Sequence, residues 1–156
     1  MTSGLKRKTR GGGVDLLKRS LKDGGIKVGI LLGTGTHPNS PDVLISEIAY
    51  WNEFGTSDGR IPARPFLRVA MRANKAKYLT LEKKLIRAIL SGQMTTDAAI
   101  SVLGIQAQTD VQAQITATKD PPNAPSTLAK KAPKTHPLID SGQLRQHIAW
   151  IGVDHA

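Results

Sequence analysis

The chain has 156 residues, with 22 Lys+Arg against 12 Asp+Glu, a formal net charge of +10 and no cysteine. That length fits one domain with or without a tail, and an apolar content of 39% is enough to build a core, which excludes wholesale disorder. The missing cysteines exclude a disulfide scaffold, a Cys-ligated zinc site and thiol catalysis, while the charge calls for an acidic partner, nucleic acid or protein.

Residues 1–13 read as a loose basic tail: Lys6, Arg7, Lys8 and Arg10 precede Gly11-Gly12-Gly13 and nothing there can be buried. No apolar stretch follows this basic start, so no secretory signal is expected, and no run approaches a membrane span; the chain is expected to be made in a reducing cytoplasm. A single domain is expected over 14–156. It opens with an amphipathic helix carrying Val14, Leu17 and Leu21, ended by Gly24-Gly25. Residues 26–32 are aliphatic, β-branched and flanked by glycine, which predicts a strand. Gly33-x-Gly35 falls in a loop, lacks a third glycine and precedes no helix, so it is no nucleotide fingerprint.

The spacing of Ile45, Ile48, Ala49 and Asn52 predicts a helix from Ile45 to Phe54, stopped by Gly55. A loop follows, and Pro65 suits the first turn of the next helix. Leu67, Met71, Tyr78, Leu81, Leu85 and Ile89 share one stripe and predict a single long helix over 66–90. Arg64, Arg68, Arg72, Lys75, Lys83 and Arg87 fall in an arc beside that stripe; nine basic residues and one acidic residue lie between 60 and 90. A second long helix is predicted over 96–116, capped by Thr95 or Thr96, with Ile100, Leu103, Ala107, Val111 and Ile115 as its apolar stripe. Its glutamines, Gln106, Gln108, Gln112 and Gln114, read as a solvated face that could also meet a partner.

Residues 119–137 hold five prolines and predict an extended connection with one helical turn over 126–131. Asp140 and Gln143 have the outline of a capping box, and 147–154 read as a strand that pairs with 26–32. The fold class is therefore α+β: a small antiparallel or mixed sheet packed on two long helices, with a basic tail and a long proline-rich loop.

No catalytic constellation emerges. His37, His136, His147 and His155 lack metal-ligand spacing, Gly-x-Ser-x-Gly is absent around Ser141, and a lone Glu53 has no second acid or base beside it. No enzyme activity, cofactor or metal is expected. Four of the six aromatics cluster at Tyr50, Trp51, Phe54 and Phe66, in a stretch where Arg60, Pro62, Arg64 and Pro65 alternate arginine with proline. Aromatics and arginine dominate interface hot spots, so the expectation is buried aromatics with arginines reaching outward. Glu53 is expected to pair with Arg60 or Arg64.

These residues carry a resemblance. Tyr50-Trp-Asn-Glu-Phe-Gly-Thr56 followed by Arg60-Ile-Pro-Ala-Arg-Pro-Phe-Leu-Arg68 resembles the N-E-F-G-T … I-P-x-R-P-F-L-R signature of phage tail-completion and neck proteins, of the minor tail-component type and similar to Mu-like virion morphogenesis proteins. Ala124-Pro-Ser-Thr-Leu-Ala-Lys-Lys131 and Pro137-Leu-Ile-Asp-Ser-Gly-Gln-Leu-Arg145 resemble the same family's second block, with Ser141 where threonine is more usual. The resemblance covers residues 26–154. It implies a structural virion protein that forms a ring, commonly sixfold, at the head–tail neck or top of the tail tube, completing the tail so that it joins the head. Implied partners are copies of itself, the tail tube or its terminator, and head-side connector proteins, with DNA contact in the lumen as a secondary expectation and no membrane.

On this view Tyr50, Trp51, Glu53, Phe54, Arg60, Arg64, Phe66, Arg68 and Arg72 form the subunit interface. Pro125, Ser126, Thr127, Lys130, Leu138 and Asp140 make loop contacts with neighbours. The basic 60–90 stretch and the net acidic 42–58 stretch suit head-to-tail packing of identical subunits. The runner-up is a sequence-independent nucleic-acid-binding protein, supported by the basic arc but opposed by the scarcity of aromatics for base stacking.

Overall fold

A computed structural model of the protein describes residues 24–31, 35–38 and 40–154. The expected basic tail, the helix from Val14, Gly33 and His155 lie outside the described residues.

The architecture is α+β. Strand β1 (Gly24–Ile30) pairs antiparallel with β4 (Ile148–Asp154), in a register running from Gly24↔Asp154 to Ile30↔Ile148. Early and late strands thus close on each other, as their composition predicts. Gly24 and Gly25 belong to β1, where they face Asp154 and Val153. A short hairpin of β2 (Thr36–His37) and β3 (Ser40–Leu44) forms a separate two-stranded sheet.

Opposed residues of an antiparallel pair share one face. Ile30/Ile148, Val28/Trp150 and Ile26/Gly152 therefore make one apolar face, and a long helix lies across it. That helix is Thr96–Ala117, here α4; the preceding ones are α1 (Ile45–Phe54), α2 (Leu67–Ala73) and α3 (Lys75–Leu90). Thr95 caps α4 as expected, its Oγ1 accepting the Ala98 N–H at 3.2 Å. Gly104 brings α4 against Trp150 so closely that any Cβ there would overlap the indole.

The core joins Phe66, Ala70, Val111, Ile115, Leu138, Leu144 and Ile148, with Val28, Ile30, Ala49, Leu67, Met71 and Ile139 packed around them. Burial of such side chains contributes roughly 1.5–3 kcal/mol each. No described helix is long and apolar enough to cross a membrane.

Two expectations are corrected. The helix expected over 66–90 is interrupted at Asn74, which separates α2 from α3 with φ −97° and ψ 5°. Its Nδ2 and its backbone N–H both donate to the Ala70 carbonyl, at 2.9 and 3.1 Å. The expected capping box at Asp140 does not form. Helix α6 (Gln143–Gln146) starts later, with Gly142 at φ +83° before it, a conformation that glycine adopts without steric cost, and the Asp140 carbonyl accepts from Lys134 Nζ at 2.9 Å. The helical turn expected within the 119–137 connection forms: α5 (Pro125–Lys131) occupies its middle, with Pro125 at the first helical position.

Candidate functional site

The E-F-G-T motif is a folding device. Glu53 sits on the inward side of α1, 5% exposed. Its Oε2 accepts the N–H groups of Phe66 and Leu67 at 2.8 and 2.9 Å, and its Oε1 that of Arg68 at 3.1 Å. These are the unpaired donors at the start of α2, so α1 supplies the cap that α2 lacks, and a carboxylate there also suits the helix dipole.

Gly55 follows at φ +78°, and a Cβ there would meet the Ile61 carbonyl and the Ala63 nitrogen at 3.1 Å. Only glycine fits this return of the chain. Thr56 closes the loop: its N–H donates to Ile61 O at 2.9 Å, its hydroxyl accepts the Ile61 N–H at 3.0 Å and donates to Asp58 at 2.6 Å. The Thr56 hydroxyl and the Arg60 N–H hold the Asp58 carboxyl below its usual range.

The expected split of buried aromatics and outward arginines is corrected for three residues. Arg64 is 5% exposed. Its Nε donates to Pro121 O at 2.6 Å and its Nη2 to Pro122 O at 2.8 Å. Burial lowers its pKa from the ordinary guanidinium value. Tyr50 and Phe54, one turn apart on α1, are 61% and 56% exposed. Helical phase explains this: at about 100° per residue, positions 50 and 54 are turned roughly 140° and 180° away from the buried Ile45, onto the outer side of α1. Their rings lie 4.9 Å apart, and the Arg68 guanidinium stands 5.1 Å from the Phe54 centroid. Phe66 is buried as expected and Trp51 is half-buried.

Glu53 pairs with neither Arg60 nor Arg64. Arg68 Nε lies 3.3 Å from Glu53 Oε1, and Arg60 pairs with exposed Asp58 at 3.2 Å. Arg72, Lys75, Lys83 and Arg87 remain exposed, so the basic arc survives without Arg64, and with Arg68 turned to Glu53 and Phe54.

The second block is also tied down. Lys131 Nζ donates to the carbonyls of His136 and Ile139, each at 3.1 Å, and the His136 ring meets Thr116 O at 2.8 Å. Leu138, expected as a loop contact, is a core residue at 5% exposure because the chain turns inward after Pro137. Asp140 and Thr127 are half-buried, while Pro125, Ser126 and Lys130 are exposed. Two of the α4 glutamines serve the fold itself: Gln108 and Gln112 donate to the carbonyls of Ile148 and Arg145 at 2.7 and 3.1 Å.

The sequence selected Arg64 but not its inward clamp on the proline carbonyls, and it assigned no role to Lys131. The one available signal was a run of prolines, whose carbonyls need donors from elsewhere because prolines have no N–H of their own. Among the described residues no group of three or more His, Asp or Glu side chains could hold a metal ion. No protein-family model, curated protein or solved structure matches this chain.

Proposed function

We propose that the chain is a structural virion protein of a tailed bacteriophage. It assembles as a ring at the head–tail neck or on top of the tail tube, completing the tail for head joining. The observation that carries this reading is that the two motif blocks behind the resemblance are bonded into one unit. Arg64 of the first block holds Pro121 and Pro122, 57 and 58 residues away, immediately before the second. Both blocks thereby become parts of one scaffold, and the residues they leave outside are an aromatic pair and basic side chains, which are interface chemistry.

On this reading the work is binding, repeated around a ring, and no bond is made or broken. The outer contact falls to Tyr50, Phe54, Arg68 and Arg72, with Pro125, Ser126 and Lys130 on the proline side. Glu53, Arg64, Phe66 and Leu138 hold that surface from beneath.

The test is the native mass of the purified chain, alone and with isolated tail tubes. A monomer in solution that becomes a ring on the tube is the expected result. A chain that never associates with tubes, and whose absence leaves tails joining heads at normal yield, would sink the proposal.

A further inference from the structure

A cleft of about 520 Å³ opens between the 60–65 loop and the proline segment. Arg60, Arg64 and Lys131 line it together with the neutral groups of Asn123 and Thr127, and no Asp or Glu does. Arg64 and Lys131 spend hydrogen bonds only on backbone carbonyls, and among the described residues neither belongs to an ion pair. Carbonyl dipoles satisfy the donors but leave the net charge in place. Two cations sharing one partly dry recess repel each other; buried Arg64 lacks the counter-charge that buried cations normally have, and the carboxylate that acts on half-buried Lys131, Asp140, does not line the cleft. Burial and the Arg64 charge both push the Lys131 ammonium below its ordinary pKa, with Asp140 acting the other way.

We infer that this cleft seats a carboxylate, the Asp or Glu side chain of a neighbouring protein chain. The shape selects the ligand. Arg64 is 5% exposed, so its partner must enter a recess. A carboxylate on a short flexible stem can do so, whereas the phosphates of a duplex run along a broad ribbon and stay at the rim. A guanidinium already fixed in orientation by two carbonyls is preorganised for a planar two-oxygen partner. The inference deepens the assembly reading, on which it rests for the partner, by naming the chemistry that partner presents.

The full chain is titrated at low salt with a short polyglutamate peptide, and the backbone amide resonances of Arg60, Arg64, Asn123 and Thr127 are followed. Inorganic phosphate and a short DNA duplex serve as competitors. Saturable shifts at these amides are expected, with binding weakened about tenfold in Arg60→Gln, which removes one charge-assisted contact at the exposed rim. Thr127→Glu places a carboxylate on the cleft wall; it should raise the melting temperature and abolish peptide binding. Absence of saturable shifts, or peptide binding unchanged in Thr127→Glu, overturns the assignment, as does equal displacement of the peptide by phosphate or by the duplex. The two proposals fail separately. A wild-type chain that binds the peptide but forms no ring on tail tubes refutes the assembly reading alone. Rings formed equally well by Thr127→Glu, with no peptide binding by the wild type, refute the cleft alone.

Discussion

Arg68 grips Glu53 at both ends of the residue: its Nη2 donates to the Glu53 backbone carbonyl at 2.7 Å, and its Nε lies 3.3 Å from the Glu53 carboxylate. The same carboxylate caps α2, so one acidic side chain joins two helices and orients the arginine that covers Phe54. Glu53→Ala strips the acceptor from three backbone N–H groups and should cost about 3 kcal/mol. Glu53→Gln keeps one acceptor oxygen and should cost about half of that. Urea denaturation of both variants checks the order. A loss under about 0.5 kcal/mol for the alanine variant would show that α2 does not depend on this cap.

The contact of Gly104 with Trp150 yields a second prediction. A Cβ at position 104 would collide with the indole, and the helix backbone of α4 cannot retreat without leaving the β1–β4 sheet. Gly104→Ala should therefore destabilise by about 1–3 kcal/mol, although alanine is the better helix former by about 1 kcal/mol. Pairing it with Trp150→Leu, which clears the space, should recover part of the loss. A Gly104→Ala variant more stable than the wild type would mean that the close approach is not maintained in solution.

These two contacts mark the boundary of what the amino-acid order reveals. The limits of α1 were legible because Gly55 stands after an apolar series at helical spacing, and Ile26, Val28 and Ile30 announced a strand in the same way. Asn74 carried no such mark: the break between α2 and α3 falls inside an apolar pattern that stays in helical register on both sides of it. Arg64 was illegible for another reason. An arginine between prolines reads as solvent-facing until the carbonyls of Pro121 and Pro122, supplied from the far half of the chain, are placed beside it. Motif residues were thus easy to select and hard to orient, because orientation depends on partners distant in sequence.

Tyr78 gives a pH-dependent prediction. It is 8% exposed, and its hydroxyl makes no hydrogen bond of good geometry, although the Asp110 carboxylate lies near it. Burial, and secondarily the nearby Asp110 carboxylate, push the phenol pKa upward from 10.0. A group whose folded pKa is raised contributes stability that is complete below its unfolded pKa and is lost as pH rises toward the folded one. Wild-type stability should therefore fall more steeply above about pH 10 than that of Tyr78→Phe. At neutral pH the phenylalanine variant should be equal to or slightly more stable than the wild type, because it removes an unsatisfied buried hydroxyl. Melting temperatures of both proteins from pH 7 to about pH 11 provide the check. Parallel curves across that range would mean that the hydroxyl reaches solvent.

The outer aromatic pair separates stability from assembly. Tyr50 and Phe54 are more than half exposed and lie outside the core, although their tilted rings meet and Phe54 meets Arg68. Replacing both by serine removes one ring pair and one cation–π contact, a loss of about 1 kcal/mol at most for exposed groups. If the pair is a contact between subunits, the double variant should melt within a few degrees of the wild type yet form rings on tail tubes at least about tenfold less readily, since buried aromatic anchors carry much of an interface's energy. Glu53→Gln supplies the contrast, because it weakens the support beneath Phe54 while leaving both rings present; its assembly defect should be smaller than its stability defect suggests. Rings of normal yield from the Tyr50→Ser, Phe54→Ser double variant would move the subunit contact away from α1, to the proline side of the molecule.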